Sequence, residues 1–359
     1  MGQESFKIVL LPGDGIGPEV IRAARHVIEL AAAEAAISLS FEEHVFGGAA
    51  TDETGFPLPE ETLNACLRSD GILLGAVGGP QWDACAREER PEYGLLALRK
   101  ALGSYANLRP VTVPDFLADA SPLRRSVVAG TDMLIVRELI GGIYFGEPRG
   151  RASDSAYNTL RYSKPEIARI AQVAFEWARR RNGRVVSIDK SNVLEVSILW
   201  RDVVSEIHQQ AYSDVELSHM YVDNAAMQIV INPRQFDVLL TGNMFGDILS
   251  DLTSTLVGSL GMLPSACLGG TVGLFEPVHG SAPDIAGMDK ANPIGAIVSS
   301  AMLFEELNQP ELAIRIRRAV EQALLDGYRT ADMLAEDSTE VGTKEMTNVI
   351  ANRLSEVAA

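Results

Sequence analysis

The sequence has few cysteines, and none of them form a redox or zinc motif. Cys66, Cys85 and Cys267 are an odd number and show no C-x-x-C spacing. A disulfide framework and a zinc knuckle are therefore disfavoured, and a reducing compartment is favoured. The first apolar run is short and ends at a Gly-Asp turn, so we expect no signal peptide and a cytoplasmic location.

Basic residues are scarce relative to acidic ones. The 359 residues include 31 Lys and Arg against 48 Asp and Glu, a formal net charge of −17. Binding to a nucleic-acid backbone needs clustered basic side chains, so this class of partner is disfavoured. The longest uncharged stretch, residues 252–275, contains Pro264 and five glycines. That composition predicts a buried helix end followed by loops rather than a membrane span.

A complete nucleotide-binding glycine motif is also missing. The segment from Gly13 to Pro18 follows a predicted strand and opens a predicted helix, but Pro18 stands where a Rossmann fingerprint needs its third glycine. No Gly-Lys-Ser/Thr follows to complete a P-loop. A plain tight turn therefore explains this segment better than a dinucleotide site does.

The remaining composition and patterning predict an α/β protein with a sizeable core. Apolar residues make up 47 % of the chain. Apolar runs at Phe6–Leu11, interrupted by Lys7, and at Gly71–Gly78 predict buried strands, and Pro18–Ala36 carries a helical apolar stripe. Strands that alternate with helices are typical of α/β layers.

Between about Ser104 and Val257 the pattern changes, which suggests an inserted domain. Ser126–Leu139 is strand-like, and a polar stretch without core periodicity follows it. The next predicted elements are a helix at Lys164–Arg181, a strand at Arg184–Lys190, a helix at Val196–Gln210 and a strand at Asp214–Val222. We predict a discontinuous first domain, residues 1–104 plus 258–359, and a second domain, residues 105–257, with an arm near 141–163.

Carboxylates form the most informative candidate site. Asp247 and Asp251 are four residues apart in a helical pattern, so they share one helix face. Asp223 ends a predicted strand and could supply a third oxygen ligand. Oxygen ligands without His or Cys suit Mg²⁺ or Mn²⁺. A solvated acidic face is the alternative, although the apolar residues flanking the pair make it less favourable.

Arginine, lysine and tyrosine residues suggest a site for a small acid. Arg99, Arg109 and Arg137 could bind di- or tricarboxylates, or they could form salt bridges with the many acidic residues of this chain. Lys190 ends a predicted strand, where ligands of α/β proteins usually bind, and Tyr144 lies in a glycine-rich segment. A structural role is the alternative for both.

The loop Glu276–Gly287 is rich in Gly, Pro and Ser. Its His279 could contact an adenine, and its Asp284 could accept hydrogen bonds from ribose hydroxyls. A carboxylate at that place would repel a 2′-phosphate and so favour NAD over NADP. An ordinary surface loop is the alternative.

Together these segments resemble the β-decarboxylating dehydrogenases of 2-hydroxy acids, the isocitrate and isopropylmalate dehydrogenase family. The motifs occur in family order from the N-terminus to about Ile297: LLPGDGIGPEV, GAVGGPQWD, RPEYGLLALRK, ANLRPV, VRELIGGIYFGEPRG, DKSNVLEVS, YVDNAAMQ, TGNMFGDILSDL, LPSACLGG and FEPVHGSAPDIAGMDKANP. The resemblance implies the two-domain isopropylmalate-dehydrogenase-like α/β fold, which is not a Rossmann fold, and a homodimer. Cys267 departs from the serine common in the family.

The resemblance also implies roles for individual residues. The substrate carboxylates would be bound by Arg99, Arg109 and Arg137. Mg²⁺ or Mn²⁺ would be bound by Asp223, Asp247 and Asp251. Lys190 would be the general base and Tyr144 the general acid. The partner subunit would contribute Lys190, Val193 and Asp223. NAD would be bound by Ile16, Gly79, His279, Gly280, Ser281, Ala282, Asp284, Ile285 and Asn292.

The choice of substrate within the family depends on one substituent. Leu95 and Leu96 would form an apolar wall, with Glu92 beside it and Val193 from the partner. A third carboxylate facing this wall would be unpaired. We therefore expect oxidative decarboxylation of 3-isopropylmalate in leucine biosynthesis. Homoisocitrate, tartrate or malate as substrate, and a non-catalytic regulatory subunit, are the alternatives.

Overall fold

The computed structural model describes residues 4–357. The chain divides into two units, the first formed by Met1–Ser104 with Gly258–Ala359 and the second by Tyr105–Val257. Among the helices described, none is both long and apolar enough to cross a membrane.

The first unit begins with strands and helices in alternation. Its N-terminal elements are β1 (Ser5–Gly13), α1 (Gly17–Glu34), β2 (Ser38–Glu43), α2 (Gly48–Thr54), α3 (Glu60–Leu67), β3 (Gly71–Ala76) and α4 (Pro91–Leu102). β1 pairs in parallel with both β2 and β3. Ile8, Val9, Leu10 and Leu11 are fully buried, as expected for a strand covered on both faces.

The second unit contains its own mixed set of strands. Its elements are β4 (Ala106–Val113), α5 (Arg125–Val128), β5 (Thr131–Glu138), β6 (Gly150–Arg151), β7 (Ala156–Tyr157), α6 (Lys164–Arg180), β8 (Arg184–Asp189), α7 (Glu195–Ala211), β9 (Glu216–Tyr221), α8 (Val222–Ile231), β10 (Val238–Thr241) and α9 (Asn243–Val257). The strand order is β4-β5-β10-β8-β9. Only the β4–β5 pair of this series is antiparallel.

The chain then returns to the first unit. The closing elements are β11 (Pro264–Leu268), β12 (Leu274–Pro277), α10 (Ile294–Glu306), α11 (Pro310–Leu325), β13 (Tyr328–Arg329), β14 (Thr339–Glu340) and α12 (Thr343–Val357). The strand order of this unit is β2-β1-β3-β12-β11. Helix α10 is apolar around most of its circumference because it packs against α1, α11 and β12.

Three sequence predictions of secondary structure are partly wrong. Asp223 is predicted to end a strand, but β9 ends at Tyr221 and Asp223 lies in the first turn of α8. Ser126–Leu139 was predicted as one strand, but Arg125–Val128 is a short helix and β5 begins only at Thr131. Gly130 between them has a φ of +77°, which interrupts the extended run. Residues 252–275 contain β11 in addition to the predicted helix end and loops.

The polar stretch near 141–163 forms a small hairpin. Strands β6 and β7 pair antiparallel, and the side chain of Tyr157 is exposed.

The turn after β1 is a close crossing of backbones rather than an open loop. A Cβ at Gly15 would lie 2.0 Å from the carbonyl oxygen of Ser281, and the N–H of Ile16 donates to that same oxygen at 2.8 Å. Glycine is required there for steric reasons.

Candidate active site

The acidic face of α9 is neutralised by arginines from two adjacent strands. Asp247 and Asp251 lie on α9, as predicted, while Arg109 extends from β4 and Arg137 from β5. Arg137 Nη1 donates to Asp247 Oδ1 at 2.6 Å. Arg109 lies 3.8 Å from Asp247 and 3.7 Å from Asp251. Part of the positive charge beside the two carboxylates is therefore supplied by side chains of this unit.

Both arginines are buried. Two further hydrogen bonds hold the guanidinium of Arg109 in place. Arg109 Nε donates to Asn107 Oδ1 at 2.7 Å, and its Nη1 donates to Ser250 Oγ at 2.5 Å. Asn107 and Ser250 were missed in the sequence because their relation to Arg109 depends on strand pairing and on the helix over the strands. A guanidinium held in this way can present an edge to an acid.

Tyr144 lies in the same cluster. Its hydroxyl donates to Asp247 Oδ2 at 3.0 Å, and the Arg137 guanidinium lies 6.0 Å from the centre of its ring. Burial, with the neighbouring Asp247 carboxylate, raises the pKa of Tyr144 above its usual value. The hydroxyl is therefore protonated near neutral pH and can act as a proton donor.

Lys190 and Asp223 form a separate ion pair within the second unit. Lys190 directly follows β8, and its Nζ donates to Asp223 Oδ1, in the first turn of α8, at 2.6 Å. The ammonium lowers the pKa of the Asp223 carboxyl. The side chain of Asp223 is 63 % exposed. Val193, which lies close to Lys190 in the sequence, is also exposed. These three residues are presented on the surface of the chain.

The three predicted metal ligands do not meet in one chain. Within residues 4–357, no group of three or more His, Cys, Asp or Glu side chains is arranged to hold a metal ion. Asp247 and Asp251 supply an oxygen-only pair, which suits a hard cation. The side chain of Asp251 is 64 % exposed and so is accessible to an ion. This pair fits Mg²⁺ or Mn²⁺ provided that further oxygen ligands come from elsewhere.

In the first unit, one face of α4 carries the predicted specificity residues. Glu92, Leu95, Leu96 and Arg99 follow at helical spacing, so they share this face. Both leucines are half-buried. Arg99 is buried, and its Nη2 donates to Glu276 Oε1 at 2.5 Å. Glu276 is a further residue that the sequence did not single out.

Two of the predicted cofactor residues, Ile16 and Ser281, meet through a backbone hydrogen bond, as described above. Asp14 connects this junction to the loop that contains Gly79. Its carboxylate accepts from the backbone N–H groups of Gly48, Ala49 and Gly78 at 2.9, 2.8 and 2.8 Å. Ala282 has a φ of +37°, an uncommon conformation for alanine. Strained backbone of this kind is found preferentially at functional loops.

His279 provides a test of whether this loop suits a nucleotide. Its Nδ1 contacts the carbonyl oxygen of Gly280 at 2.8 Å, which requires the proton on Nδ1 and leaves Nε2 as an acceptor. Within residues 4–357 the buried Nε2 has no hydrogen-bond partner. Burial lowers the pKa of the ring, so it is neutral. An unpaired buried acceptor fits a ligand that brings an N–H or O–H donor.

Asn292 contacts Asp332, a residue that sequence reasoning missed and whose charge acts on the His279 ring. Asn292 Nδ2 donates to Asp332 Oδ2 at 3.2 Å, and Ser259 donates to the same oxygen. Asp284 is exposed, and Ile285 is half-buried beyond a turn closed by its N–H and the Ala282 carbonyl at 3.2 Å. The structure therefore places the predicted cofactor residues on one loop and its neighbours in the first unit.

Known families and proteins match this chain along nearly all of its length. The model of the isocitrate/isopropylmalate dehydrogenase family matches residues 7–350. A 3-isopropylmalate dehydrogenase from Salinibacter ruber is 60 % identical, covering 98 % of this chain and 96 % of that protein. One from Wolinella succinogenes is 54 % identical, covering 97 % and 98 %.

Solved structures agree with these sequence matches. An isocitrate dehydrogenase from Methylococcus capsulatus is similar with a TM-score of 0.87 and 35 % identity, covering 97 % of this chain and 99 % of that chain. A β-decarboxylating dehydrogenase from Thermococcus kodakarensis has a TM-score of 0.79 and 35 % identity, covering 98 % and 96 %. The chain therefore belongs to the isocitrate/isopropylmalate dehydrogenase family.

Proposed function

We propose that this chain oxidises and decarboxylates (2R,3S)-3-isopropylmalate with NAD⁺, giving 2-oxoisocaproate and CO₂ in leucine biosynthesis. The observation that carries the proposal is the cluster of Arg109, Arg137 and Tyr144 around Asp247 and Asp251. It combines cations for a dicarboxylate, a protonated hydroxyl and an oxygen pair for a metal ion. The relatives named 3-isopropylmalate dehydrogenase support this choice of reaction.

The proposed mechanism assigns a step to each side chain. Arg99, Arg109 and Arg137 bind and orient the substrate carboxylates. Lys190, in its neutral amine form, accepts the proton of the C2 hydroxyl as the C2 hydride leaves. Tyr144 donates a proton to C3 after CO₂ has departed. When bound, NAD⁺ would supply the hydride acceptor, and a divalent metal ion held by Asp223, Asp247 and Asp251 would supply Lewis-acid chemistry.

Selectivity for isopropylmalate is proposed to come from α4. The half-buried Leu95 and Leu96 share a face with Arg99 and so would meet the substituent at C3 when Arg99 binds a carboxylate. An isopropyl group would lose unfavourable contact with water there, whereas the extra carboxylate of isocitrate would be desolvated without a partner. The proposed role of Glu92 is to border this wall.

We propose a homodimer formed through α8 and α9. These helices pack against each other, and their outward apolar residues Met227, Ile231 and Ile248 are 55, 63 and 58 % exposed. An apolar surface of this kind indicates a protein interface. In such a dimer Lys190, Val193 and Asp223 of one subunit would complete the site of the other. Cys66, Cys85 and Cys267 are free thiols, which supports a cytoplasmic location.

The test is NADH formation with NAD⁺, Mg²⁺ and 3-isopropylmalate, compared with isocitrate, malate, tartrate and homoisocitrate. We expect kcat/KM for isopropylmalate to exceed the others by about a hundredfold or more, about 3 kcal/mol. EDTA is expected to abolish turnover, and Mg²⁺ or Mn²⁺ to restore it. Activity chiefly on another acid would show that the α4 wall has been misassigned, and a lack of activity on all five would favour a regulatory subunit.

A further inference from the structure

A ring of contacts behind the candidate active site passes through one buried amide, Asn243. This residue begins α9 and is 1 % exposed. Its backbone carbonyl oxygen accepts from Arg137 Nε at 2.9 Å, and its side-chain Oδ1 accepts from Arg137 Nη2 at 2.8 Å. These two bonds hold one edge of the guanidinium. The remaining nitrogen, Nη1, is thereby directed to Asp247.

The amide nitrogen of the same side chain binds the segment that leads to Tyr144. Asn243 Nδ2 donates to the carbonyl oxygens of Leu139 and Gly141 at 2.8 and 3.1 Å. The turn Gly142–Tyr144 follows directly, and the Tyr144 hydroxyl returns to Asp247. The contacts therefore close a ring through Asn243, Arg137, Asp247, Tyr144 and the backbone of residues 139–144.

We propose that Asn243 is a positioning residue that couples the orientation of Arg137 to that of Tyr144. This inference rests on the proposed function, in which Arg137 binds a substrate carboxylate and Tyr144 donates a proton. One amide is suited to both tasks because it has an acceptor for the guanidinium and two N–H donors for the loop. No other uncharged side chain of similar size offers this combination except glutamine, which is longer.

Substitutions of Asn243 are expected to separate its contact with Arg137 from its contacts with the segment that leads to Tyr144. Asn243→Asp keeps an acceptor for Arg137 but removes both donors to Leu139 and Gly141. We expect the substrate Kd, measured by calorimetry without NAD⁺, to stay within about threefold of wild type, while kcat falls about tenfold or more because the acid is misplaced. Asn243→Ala, which also frees Arg137, is expected to weaken substrate binding as well.

A double-mutant cycle with Tyr144→Phe tests the coupling. If Asn243 acts through Tyr144, Asn243→Asp lowers kcat by less than about twofold once the hydroxyl is gone. If the double variant instead loses kcat by the product of the two single-variant losses, the proposal is overturned. Asn308→Asp, at an exposed asparagine of the first unit, adds the same charge and is expected to behave as wild type. If the Asn243→Asp protein does not fold, Asn243→Ser replaces it in the double-mutant cycle and in hydrogen exchange, because it removes the same N–H donors without adding charge, although its shorter side chain also loses the acceptor for Arg137 Nη2.

Hydrogen exchange supplies a readout that needs neither ligand nor turnover. The amides of residues 139–146 are expected to exchange at least about tenfold faster in Asn243→Asp than in wild type or Asn308→Asp, since local opening costs about 1.4 kcal/mol less. Unchanged protection there would overturn the proposal. An inactive wild type with this change in exchange would instead reject the proposed function while the positioning role stands.

Discussion

Lys190 is the residue whose substitution separates chemistry from folding most clearly. It follows β8, and the one described hydrogen bond of its side chain is to Asp223, at 2.6 Å on a partly exposed surface. We expect Lys190→Ala to fold normally and to lose about 10²- to 10⁴-fold in kcat, since general-base catalysis contributes about that much. Steady-state NADH formation, with circular dichroism to monitor folding, measures both.

The control for this substitution is Lys164→Ala. Lys164 is an exposed lysine at the start of α6 in the same unit. It is expected to keep the kcat of the wild-type protein. A kcat close to wild type in the Lys190→Ala protein would contradict the assignment of Lys190 as the base.

His279 predicts a pH dependence of stability in the acid range. Burial keeps its folded-state pKa below the usual value, so the unfolded chain binds a proton that the folded chain does not. The free energy of unfolding is therefore fully retained above about pH 6.5 and falls as the pH drops below it, by up to about 1.4 kcal/mol per unit. Urea unfolding at pH 7.5 and 5.5 should show a smaller loss in His279→Gln. An equal loss in both proteins would contradict this origin.

At the scale of elements, the sequence predicts most strands and helices but few of the contacts between them. Apolar periodicity locates β1, β3, α6 and α9, because burial on one or both faces determines their composition. It fails at Ser126–Val128, where valines with strand propensity form a helix before Gly130. Propensity over so short a segment is decided by its tertiary surroundings.

The contacts of the candidate site also fall into two kinds: those between residues close in the sequence and those between residues far apart in it. Helical spacing alone places Asp247 beside Asp251, and it puts Glu92 on the same helix face as Arg99. The bonds between Arg137 and Asn243 join residues 106 positions apart. Nothing in the spacing of one sequence specifies which strand end lies next to which helix start. Asn243, Glu276 and Asp332 were therefore found only in the structure.

Asp14 provides the element-scale prediction. Its buried carboxylate joins the turn after β1 to the start of α2 and to the loop after β3. Asp14→Asn replaces one acceptor oxygen by an NH₂ group that faces backbone N–H donors. We expect it to lower the free energy of unfolding by about 1–3 kcal/mol, measured with urea.

The matched control is Asp115→Asn, at an aspartate whose side chain is 81 % exposed. It is expected to change the free energy of unfolding by less than about 0.5 kcal/mol. Equal stability of the Asp14→Asn and Asp115→Asn proteins would show that the three bonds to Asp14 contribute little.

At the scale of the whole molecule, the proposed dimer makes the site dependent on two chains. The apolar residues Met227 and Ile231 are one helical turn apart on α8 and both are exposed. Replacing both by Glu would bury charges in the interface, so we expect monomers and loss of turnover. Light scattering measures the mass. Ile314→Glu, at an exposed isoleucine of α11, is expected to remain dimeric.

Complementation between variants tests whether the subunits share a site. Lys190→Ala and Asp247→Asn are each expected to inactivate a homodimer, because every site contains one lesion. In a mixed dimer with shared sites, both lesions fall in the same site and the other is intact. Random reassociation of an equal mixture then gives mixed dimers in half of the molecules, so about a quarter of wild-type activity returns. If Lys190 instead served the site of its own chain, every site would keep a lesion and mixing would restore nothing.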